Sequence, residues 1–348
     1  MKKQKSKNFY LRVESLSSMV TGSCNYCVLH MPDKTQIEFV VDCGFFFEEE
    51  MKEKNDTFPF NPSKLSFAIL THYHGDHTGR MPILYSQGFK GPTYASAYTT
   101  EYLKKKAISC YYEHKRACDG KETLWEEKDA ISLINNLKEL ELAKTFKINQ
   151  NIEITFFQNA HCKGAIMCRV KCTYEKECII AIFTGDYKEK TDIRESWIPQ
   201  EFKTGPVTII TEATYGMREQ PIKCFDKRIC QCIERGGNVL ISALGDENFE
   251  SAIIRIKHLK KKGIIEQETP IYIATSKKFE ITNKMLEAMP SNVTFVKSTN
   301  EKEMAKYDLR QKIVIVKERG ALQTFLPYMI KNNKNTLIFT NHLPSTSN

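Results

Sequence analysis

The ten residues 71–80, Thr-His-Tyr-His-Gly-Asp-His-Thr-Gly-Arg, constrain this chain more than any other segment. The apolar run at residues 67–70, typical of a buried strand, comes directly before the cluster. The cluster holds four candidate metal ligands, His72, His74, Asp76 and His77. Histidine is the commonest metal ligand among side chains, and a neighbouring carboxylate suits a hard or borderline divalent ion. Because unpartnered imidazoles and carboxylates are costly to bury, a metal site is favoured over the alternative of a polar surface loop.

Further donors follow other predicted strands along the chain. Three strand-like segments, at residues 152–157, 178–184 and 207–211, are each followed by such a donor. The donors are His161, Asp186 and Glu212, in chain order. In open α/β architectures the site lies at the carboxyl edge of the strands. We therefore expect these side chains to converge with the first four, although they are far apart in sequence.

The order of these donors resembles a known family. His72, His74, Asp76 and His77, followed by His161 and by Phe183-Thr184-Gly185-Asp186, resemble the metallo-β-lactamase superfamily. Flanking segments are similar to its β-CASP branch, which includes ribonuclease J and the endonucleases of pre-mRNA 3′-end cleavage. These segments are residues 21–23, 41–44, 79–82, 88–92 and 211–216. The resemblance implies an α/β fold. A metallo-β-lactamase αββα sandwich would occupy residues 1–205, and an inserted parallel α/β domain of the β-CASP type would occupy residues 206–348.

The resemblance also implies a role for each donor. One zinc ion would be held by His72, His74 and His161, a second by Asp76 and His77, and Asp186 would bridge the two. Manganese could replace zinc in vitro. The expected catalytic residues are Asp76 and Glu212. Glu212 matches the acidic residue of the family's motif A and would orient a ligand histidine or help to move a proton, whereas the alternative for it is a carboxylate that caps a turn.

The activity implied by the resemblance is hydrolysis of phosphodiester bonds in RNA. Cleavage would be endonucleolytic, 5′-exonucleolytic or both, and a hydroxide held by the metals would attack the phosphate. Two alternatives stay open. The chain could be a catalytically impaired β-CASP scaffold or RNA-processing subunit that binds without turnover. It could also be a small-molecule metallo-hydrolase, because the fold alone does not fix the substrate, although the insertion argues against this.

Two stretches of the chain have a pattern of their own. Residues 100–145 are predicted to be mostly helical, with Leu133 and Leu137 at helical spacing. From about residue 206 strands and helices alternate, which predicts a parallel sheet flanked by helices.

The sequence lacks the histidine motif with which the family normally returns to its first domain. We interpret the run that ends at His342 as the closing strand of the insertion. In the alternative interpretation this run is the returning strand, and His342 completes the second metal position. Two explanations fit the missing motif. The chain is either a fragment or truncated product, which we favour, or a complete divergent member.

The positive net charge suggests what kind of partner the chain binds. The net charge of +9 and the clusters at residues 104–106 and 257–262 suit a polyanion such as single-stranded RNA, although each cluster alone is typical of a solvated helix face.

No apolar run is long enough to span a membrane, and the basic start lacks an apolar signal core, so we expect a cytoplasmic protein. Relatives of this branch often dimerise, which suggests a homodimer.

The twelve cysteines are scattered and fit free thiols of a reducing compartment. Cys162 follows a predicted ligand. We expect at most sensitivity to oxidation there and assign it no catalytic role.

Overall fold

The computed structural model divides the chain into two compact units, Met1–Gly216 and Met217–Asn348. The residues that it describes are 8–17, 19–119, 122–190, 194–214, 225–243, 246–275, 289–297, 312–316, 322–323, 325–327 and 334–339. No helix within these ranges combines the length and the apolar character that a membrane crossing requires. His342, the candidate last ligand, lies outside the described residues.

The first sheet of the first unit has six strands, which lie side by side in chain order. They are β1 Tyr10–Ser15, β2 Asn25–His30, β3 Gln36–Val41, β4 Leu65–Ile69, β5 Thr93–Ala95 and β6 Leu137–Glu139. β1 to β3 pair antiparallel, and β3 to β6 pair parallel. Because β3 and β4 are parallel and Val41 pairs with Ile69, the loops that follow these two strands leave the sheet side by side.

The second sheet has five strands in the order β11-β10-β9-β8-β7. They are β7 Thr145–Lys147, β8 Ile152–Gln158, β9 Ile166–Tyr174, β10 Glu177–Phe183 and β11 Thr208–Ile210. All pairs are antiparallel except β10 with β11, where Ala181 pairs with Thr208. This pairing uses backbone groups along one edge of β10 and draws residues 208–210 into the sandwich. The strand that precedes Glu212 therefore lies in the first unit, beyond the border at residue 205 that the sequence predicts.

Helices cover both sheets. The first unit contains α1 Gly75–Thr78, α2 Met81–Ser86, α3 Ala97–Ala117, α4 Glu127–Asn136 and α5 Glu201–Thr204, with 3-10 helices at Glu49–Asn55 and Pro62–Lys64. Met81, Leu103 and Leu133 pack α2, α3 and α4 against the first sheet. The one-turn α5 is tied to the second sheet by an ion pair between Glu201 and Arg169 of β9. These layers confirm the predicted αββα sandwich.

A buried apolar core joins the two sheets. Phe39 and Phe67 of the first sheet stack with their ring centroids 4.7 Å apart, and Phe156 and Phe183 of the second sheet belong to the same cluster. Burying each such side chain contributes about 1.5–3 kcal/mol. Since β4, β8 and β10 all contribute to this core, the loops that follow them start from fixed positions.

The helical prediction for residues 100–145 is confirmed for α3 and α4 but is wrong at Leu137. Leu137 fits the helical spacing of Leu133, yet it begins β6 and pairs parallel with Thr93 of β5. Over so few residues, a buried strand and a buried helix show the same spacing of apolar residues. The pairing with β5 makes Leu137 a strand residue, and β5 lies more than forty positions earlier in the chain.

The second unit contains a five-stranded sheet in the order β14-β13-β15-β12-β16, in which every described pair is parallel. Its elements are α6 Phe225–Glu234, β12 Val239–Ser242, α7 Asp246–Lys261, β13 Ile271–Thr275, β14 Val293–Lys297, β15 Ile313–Val316 and β16 Thr336–Phe339. The apolar face of α7, with Ile253, Ile256 and Leu259, is buried. The predicted parallel sheet flanked by helices is confirmed within the described residues.

Candidate metal centre

The turn that follows β4 presents the clustered histidines. Gly75 begins the one-turn helix α1 within this turn. The backbone N–H of Cys43 donates to the carbonyl of His77 at 2.8 Å and holds the turn against the loop after β3. Gly44 permits the close approach, because a Cβ at that position would lie 1.6 Å from the carbonyl oxygen of Asp76. The local backbone thus sets the direction of these side chains.

Three imidazoles meet at one point, as the sequence predicts. Nδ1 of His74 lies 3.0 Å from Nε2 of His72 and 3.3 Å from Nε2 of His161. Nitrogen ligands of a tetrahedral zinc ion, each about 2.0–2.1 Å from the metal, are about 3.3 Å apart. The spacing of the three rings fits a single ion without rearrangement of the backbone.

A second group of donors adjoins the first. Nε2 of His77 lies 3.0 Å from Oδ1 of Asp186, and Oδ2 of Asp186 lies 3.5 Å from Nε2 of His161. Asp186 therefore lies between the two groups, where the sequence places a bridging ligand. Asp76 lies at the rim, with its Oδ2 atom 3.9 Å from Nε2 of His77. The structure brings all six predicted metal ligands into one cluster.

The pKa shifts of His72, His161 and Asp186 suit metal binding. Burial and then the neighbouring histidines lower the pKa of His72 well below its usual value, and burial lowers the pKa of His161 to about 3. Burial opposes ionisation of Asp186, but the hydrogen bond from His77 and the charges of the neighbouring histidines together outweigh it and lower the pKa of Asp186 to about 2. Neutral imidazoles and an ionised carboxylate are the forms that coordinate a cation.

His77 and Asp76 are shifted the other way. Burial lowers the pKa of His77, but the carboxylates of Asp42 and Asp186 outweigh it and raise that pKa well above its usual value. Burial raises the pKa of Asp76. His77 must therefore release a proton when it binds a cation.

Asp42, which sequence reasoning did not assign to the site, orients His77. Oδ2 of Asp42 lies 2.8 Å from Nδ1 of His77, and Oδ1 accepts a hydrogen bond from the N–H of Thr71 at 2.7 Å. Asp42 is buried and takes a left-handed backbone conformation with φ of 62°. A carboxylate behind a ligand imidazole fixes its ring and leaves Nε2 for the metal. The sequence signal was the segment 41–44, which we used only for the resemblance.

Asn159 is a second residue that the sequence analysis missed. Its side-chain amide donates to the carbonyls of Thr184 and Asp186, at 2.8 Å each, and its Oδ1 atom accepts from the N–H of His161 at 2.9 Å. Asn159 thereby joins the loop after β8 to the loop after β10. Two predicted ligands, His161 and Asp186, depend on this one buried side chain, and no sequence signal distinguished it.

Glu212 lies beside the cluster and caps a turn. Its half-buried carboxylate accepts a hydrogen bond from the N–H of Thr214 at 2.7 Å. It also lines a cavity of about 450 Å³ together with His77 and Asp186. The capping contact is the alternative that the sequence left open. The cavity places the same carboxylate beside the second donor group.

The two basic clusters differ in exposure. Lys104, Lys105 and Lys106 are exposed on α3. Lys260, in the second cluster, is only 2% exposed, and its ammonium group donates to the carbonyls of Gln267, Thr269 and Ser291. One of the lysines expected to face RNA is therefore part of the interior of the second unit.

Sequence comparison finds relatives at low identity. No family model matches the chain. The transcription termination factor FttA of Methanosarcina mazei is 27% identical over 77% of this chain and 42% of its own length. Ribonuclease TTHA0252 of Thermus thermophilus is 24% identical over 62% of this chain and 48% of its own length. Integrator complex subunit 11 of Gallus gallus is 25% identical over 61% of this chain and 35% of its own length. The chain thus spans less than half the length of these relatives.

Structural comparison returns metallo-β-lactamases at low similarity. A metallo-β-lactamase from Cronobacter sakazakii covers 52% of this chain and 64% of its own, with 13% sequence identity and a TM-score of 0.33. A B3 metallo-β-lactamase with an active-site glutamic acid gives 15% identity, a TM-score of 0.32, and coverage of 52% and 61%.

Proposed function

We propose that this chain, a β-CASP member of the metallo-β-lactamase superfamily, is a metal-dependent phosphodiester hydrolase that acts on RNA. One observation carries the proposal: four imidazoles and the Asp186 carboxylate lie within a few ångströms of one another at the ends of strands. Such a concentration of buried donors would be costly without a cation to balance it. The cluster has the donor types that bind a divalent metal ion.

Two zinc ions are the proposed cofactors. His72, His74 and His161 would hold the first, Asp76 and His77 would hold the second, and Asp186 would contact both. Mostly nitrogen donors favour zinc, while manganese could occupy the same positions in vitro. When bound, such ions would activate a water molecule and neutralise charge on the phosphate under attack. Asp42 would keep the ring of His77 in the orientation that ligation requires.

Glu212 is the second proposed catalytic residue, after Asp76. Its carboxylate lines the cavity that also contacts Asp186 and His77, which supports a role in taking up or releasing a proton. The same carboxylate accepts from the N–H of Thr214, so its position is already fixed by the backbone. A positioned carboxylate of this kind can act as a general acid or base.

Single-stranded RNA is the proposed substrate form. Tyr73, next to the ligand His74, packs against Tyr102 with ring centroids 4.2 Å apart and against Tyr98 at 5.6 Å. The Lys163 ammonium lies 4.4 Å from the centre of the Tyr98 ring. These tyrosines are half-buried, and Lys163 is exposed. Aromatic rings beside cationic side chains are the usual means of binding unpaired bases and phosphates together. The net charge of +9 would favour association with any polyanion.

The test is cleavage of end-labelled single-stranded RNA with zinc or manganese. Wild type and the variant His30→Ala, which changes a histidine outside the cluster, should cleave, whereas His74→Ala should not. The positions of the labelled products would distinguish endonucleolytic from 5′-exonucleolytic cleavage. Equal cleavage by wild type and His74→Ala would refute the proposal.

A non-catalytic RNA-processing subunit is the second candidate. It is favoured by one observation, the position of Asp76 at the rim, which leaves the second donor group less compact than the first. RNA binding by metal-loaded wild type without cleavage would support this candidate. The homodimer and the cytoplasmic location stay predictions, the former to be measured by light scattering.

A further inference from the structure

Phe47 is an exposed aromatic side chain beside the candidate metal centre. It is 59% exposed, whereas the two phenylalanines before it are packed inside the first unit. Phe46 is 3% exposed and lies 4.9 Å from the guanidinium carbon of Arg80, and Phe45 packs against Trp125 with ring centroids 5.6 Å apart. Core packing explains Phe45 and Phe46 and does not explain Phe47.

The Phe47 ring lies against the turn that carries the clustered histidines. A Cβ added at Gly75, which stands between two of the proposed ligands, would lie 3.3 Å from Cζ of Phe47. The N–H of Phe47 donates to Oγ1 of Thr21 at 2.9 Å, and the N–H of Thr21 donates to the Glu48 carboxylate at 3.2 Å. These hydrogen bonds set the position of the ring, which therefore offers its exposed surface next to the metal ligands.

Two further exposed apolar side chains lie on the loop that Phe47 is bonded to. Met19 is 42% exposed and Val20 is 61% exposed, and both precede Thr21 in the chain. Both also line the cavity of about 450 Å³ beside the second donor group. We call Met19, Val20 and Phe47 the apolar rim. Apolar side chains grouped at the surface next to a polar site are typical of a binding surface.

The charge around the apolar rim favours an uncharged ligand. Three glutamates, residues 48–50, follow Phe47 directly. Among the described residues, no lysine or arginine lines the cavity beside the rim. Carboxylates repel a phosphate group, whereas a nucleobase carries no charge and stacks on an aromatic ring through its flat face. The rim therefore suits a base of the RNA rather than its backbone.

We propose that Phe47 stacks on a base of the RNA beside the scissile phosphate, with Met19 and Val20 extending the contact. This inference rests on the proposed function and deepens it, because it names the part of the substrate that binds on this side of the metal centre. Phe47 would hold the strand in position and take no part in bond cleavage. Stacking on an aromatic ring tolerates every base, so the contact should not select one sequence.

Binding of labelled single-stranded RNA, measured by fluorescence anisotropy in the presence of a chelator, tests the contact without cleavage. Phe47→Ala should weaken binding about 5–150-fold, the range typical of one base stacked on one aromatic side chain. Phe47→Trp should keep the affinity, and Phe47→Leu, which is apolar but has no ring, should lose it as Phe47→Ala does. Because Phe47 is mostly exposed, the variants should keep the wild-type Tm.

Tyr10→Ala is the matched control. Tyr10 is 47% exposed and begins β1, whereas Ser15 at the other end of β1 lines the cavity. Loss of this exposed aromatic ring should leave RNA affinity unchanged. A loss equal to that of Phe47→Ala would show that exposed aromatic rings contribute without regard to position, and would overturn the inference.

RNAs that lack one base at a time show whether the ring contacts a base. At one position, removal of the base should weaken binding by wild type and leave binding by Phe47→Ala unchanged, because the two changes remove the same interaction. If Phe47→Ala weakens the binding of every such RNA by the same factor, Phe47 does not contact a base and the inference fails.

The outcomes separate this inference from the proposed function. RNA cleavage by wild type together with wild-type RNA affinity in Phe47→Ala would overturn the role of Phe47 and leave the hydrolase standing. RNA binding that depends on Phe47, without cleavage when zinc or manganese is added, would support the base contact and overturn the hydrolase. Wild-type RNA affinity in Phe47→Ala with an altered mass in light scattering would assign the apolar rim to contacts between copies of the chain, and would also overturn the inference.

Discussion

Oδ2 of Asp42 lies 2.8 Å from Nδ1 of His77, so a carboxylate at the end of β3 sets the ring orientation of a proposed ligand after β4. We predict that Asp42→Asn lowers zinc affinity about 10–100-fold, because an amide cannot replace the charge and both acceptor oxygens of the carboxylate. Competition with a chromophoric chelator measures this affinity. The control is Asp33→Asn, which changes an exposed turn aspartate that contacts Thr35. Unchanged affinity in Asp42→Asn would show that the contact does not tune the metal position.

Asn159→Ala should both destabilise the first unit and weaken metal binding. The substitution leaves the carbonyls of Thr184 and Asp186 without their donor, and each unsatisfied buried group costs about 1–3 kcal/mol. The control Asn149→Ala removes a comparable side chain, which accepts from the N–H groups of Asn151 and Ile152. Urea unfolding should report a loss in both variants, whereas zinc titration should report weakened binding in Asn159→Ala alone. Equal zinc affinities would mean that the two loops hold their positions without Asn159.

Gly44→Ala should be among the most disruptive single-methyl changes in the described part of the first unit. The added Cβ would lie 1.6 Å from the carbonyl oxygen of Asp76, so the turn that carries the ligands must move. Overpacking of this kind costs about 1–3 kcal/mol and sometimes more. Gly205→Ala is the matched control, because a Cβ at that exposed glycine meets no atom within 4 Å. Thermal denaturation should show a clearly lower Tm for Gly44→Ala only, and a Tm equal to that of Gly205→Ala would argue against the tight approach.

Zinc should raise the thermal stability of the chain. Ligands that bind only the folded state stabilise it by mass action, which gives about 2.7 kcal/mol at a free concentration one hundred times the Kd. Scanning calorimetry after chelation and stepwise zinc addition measures the shift in Tm. His161→Ala, which removes a donor 3.3 Å from His74, should reduce the shift strongly. A wild-type Tm that does not respond to zinc would contradict the proposed centre.

Glu212→Gln separates the capping role from a catalytic one. The amide oxygen of glutamine can still accept from the N–H of Thr214, so stability should change by less than about 0.5 kcal/mol. If the carboxylate moves a proton, RNA cleavage should fall at least about 100-fold. Initial rates at matched metal occupancy provide the comparison. Cleavage at the wild-type rate would leave turn capping as the whole role of Glu212.

The sequence predicted the donors better than it predicted the residues that hold them. Four of the candidate ligands lie close together in the chain, so a short segment is enough to indicate a metal site. They are His72, His74, Asp76 and His77. Strand ends indicated the two remaining candidate ligands, since loops at one edge of a sheet converge. Asp42 could not be assigned in this way. Its contact with His77 depends on the parallel register of β3 and β4, and no local pattern encodes that register.

The error at Leu137 has the same physical origin. Leu137 was placed in a helix because its spacing from Leu133 allows it, and the pairing with Thr93 that makes it a strand residue is not local. Such a pairing is a contact between distant segments, which spacing along the chain does not report.

The burial of Lys260 affects how RNA binding by this chain should be dissected. Charge-neutralising substitution of the whole run at residues 257–262 is a common way to remove a suspected phosphate-binding face. Here it would also take the hydrogen-bond donor from the carbonyls of Gln267, Thr269 and Ser291. If a variant with all these residues replaced lost RNA binding, the cause could be a misfolded second unit or a missing phosphate contact, and the experiment would not distinguish the two. Lys257, Lys261 and Lys262, which are exposed, are the residues to change, with Lys260 kept as lysine.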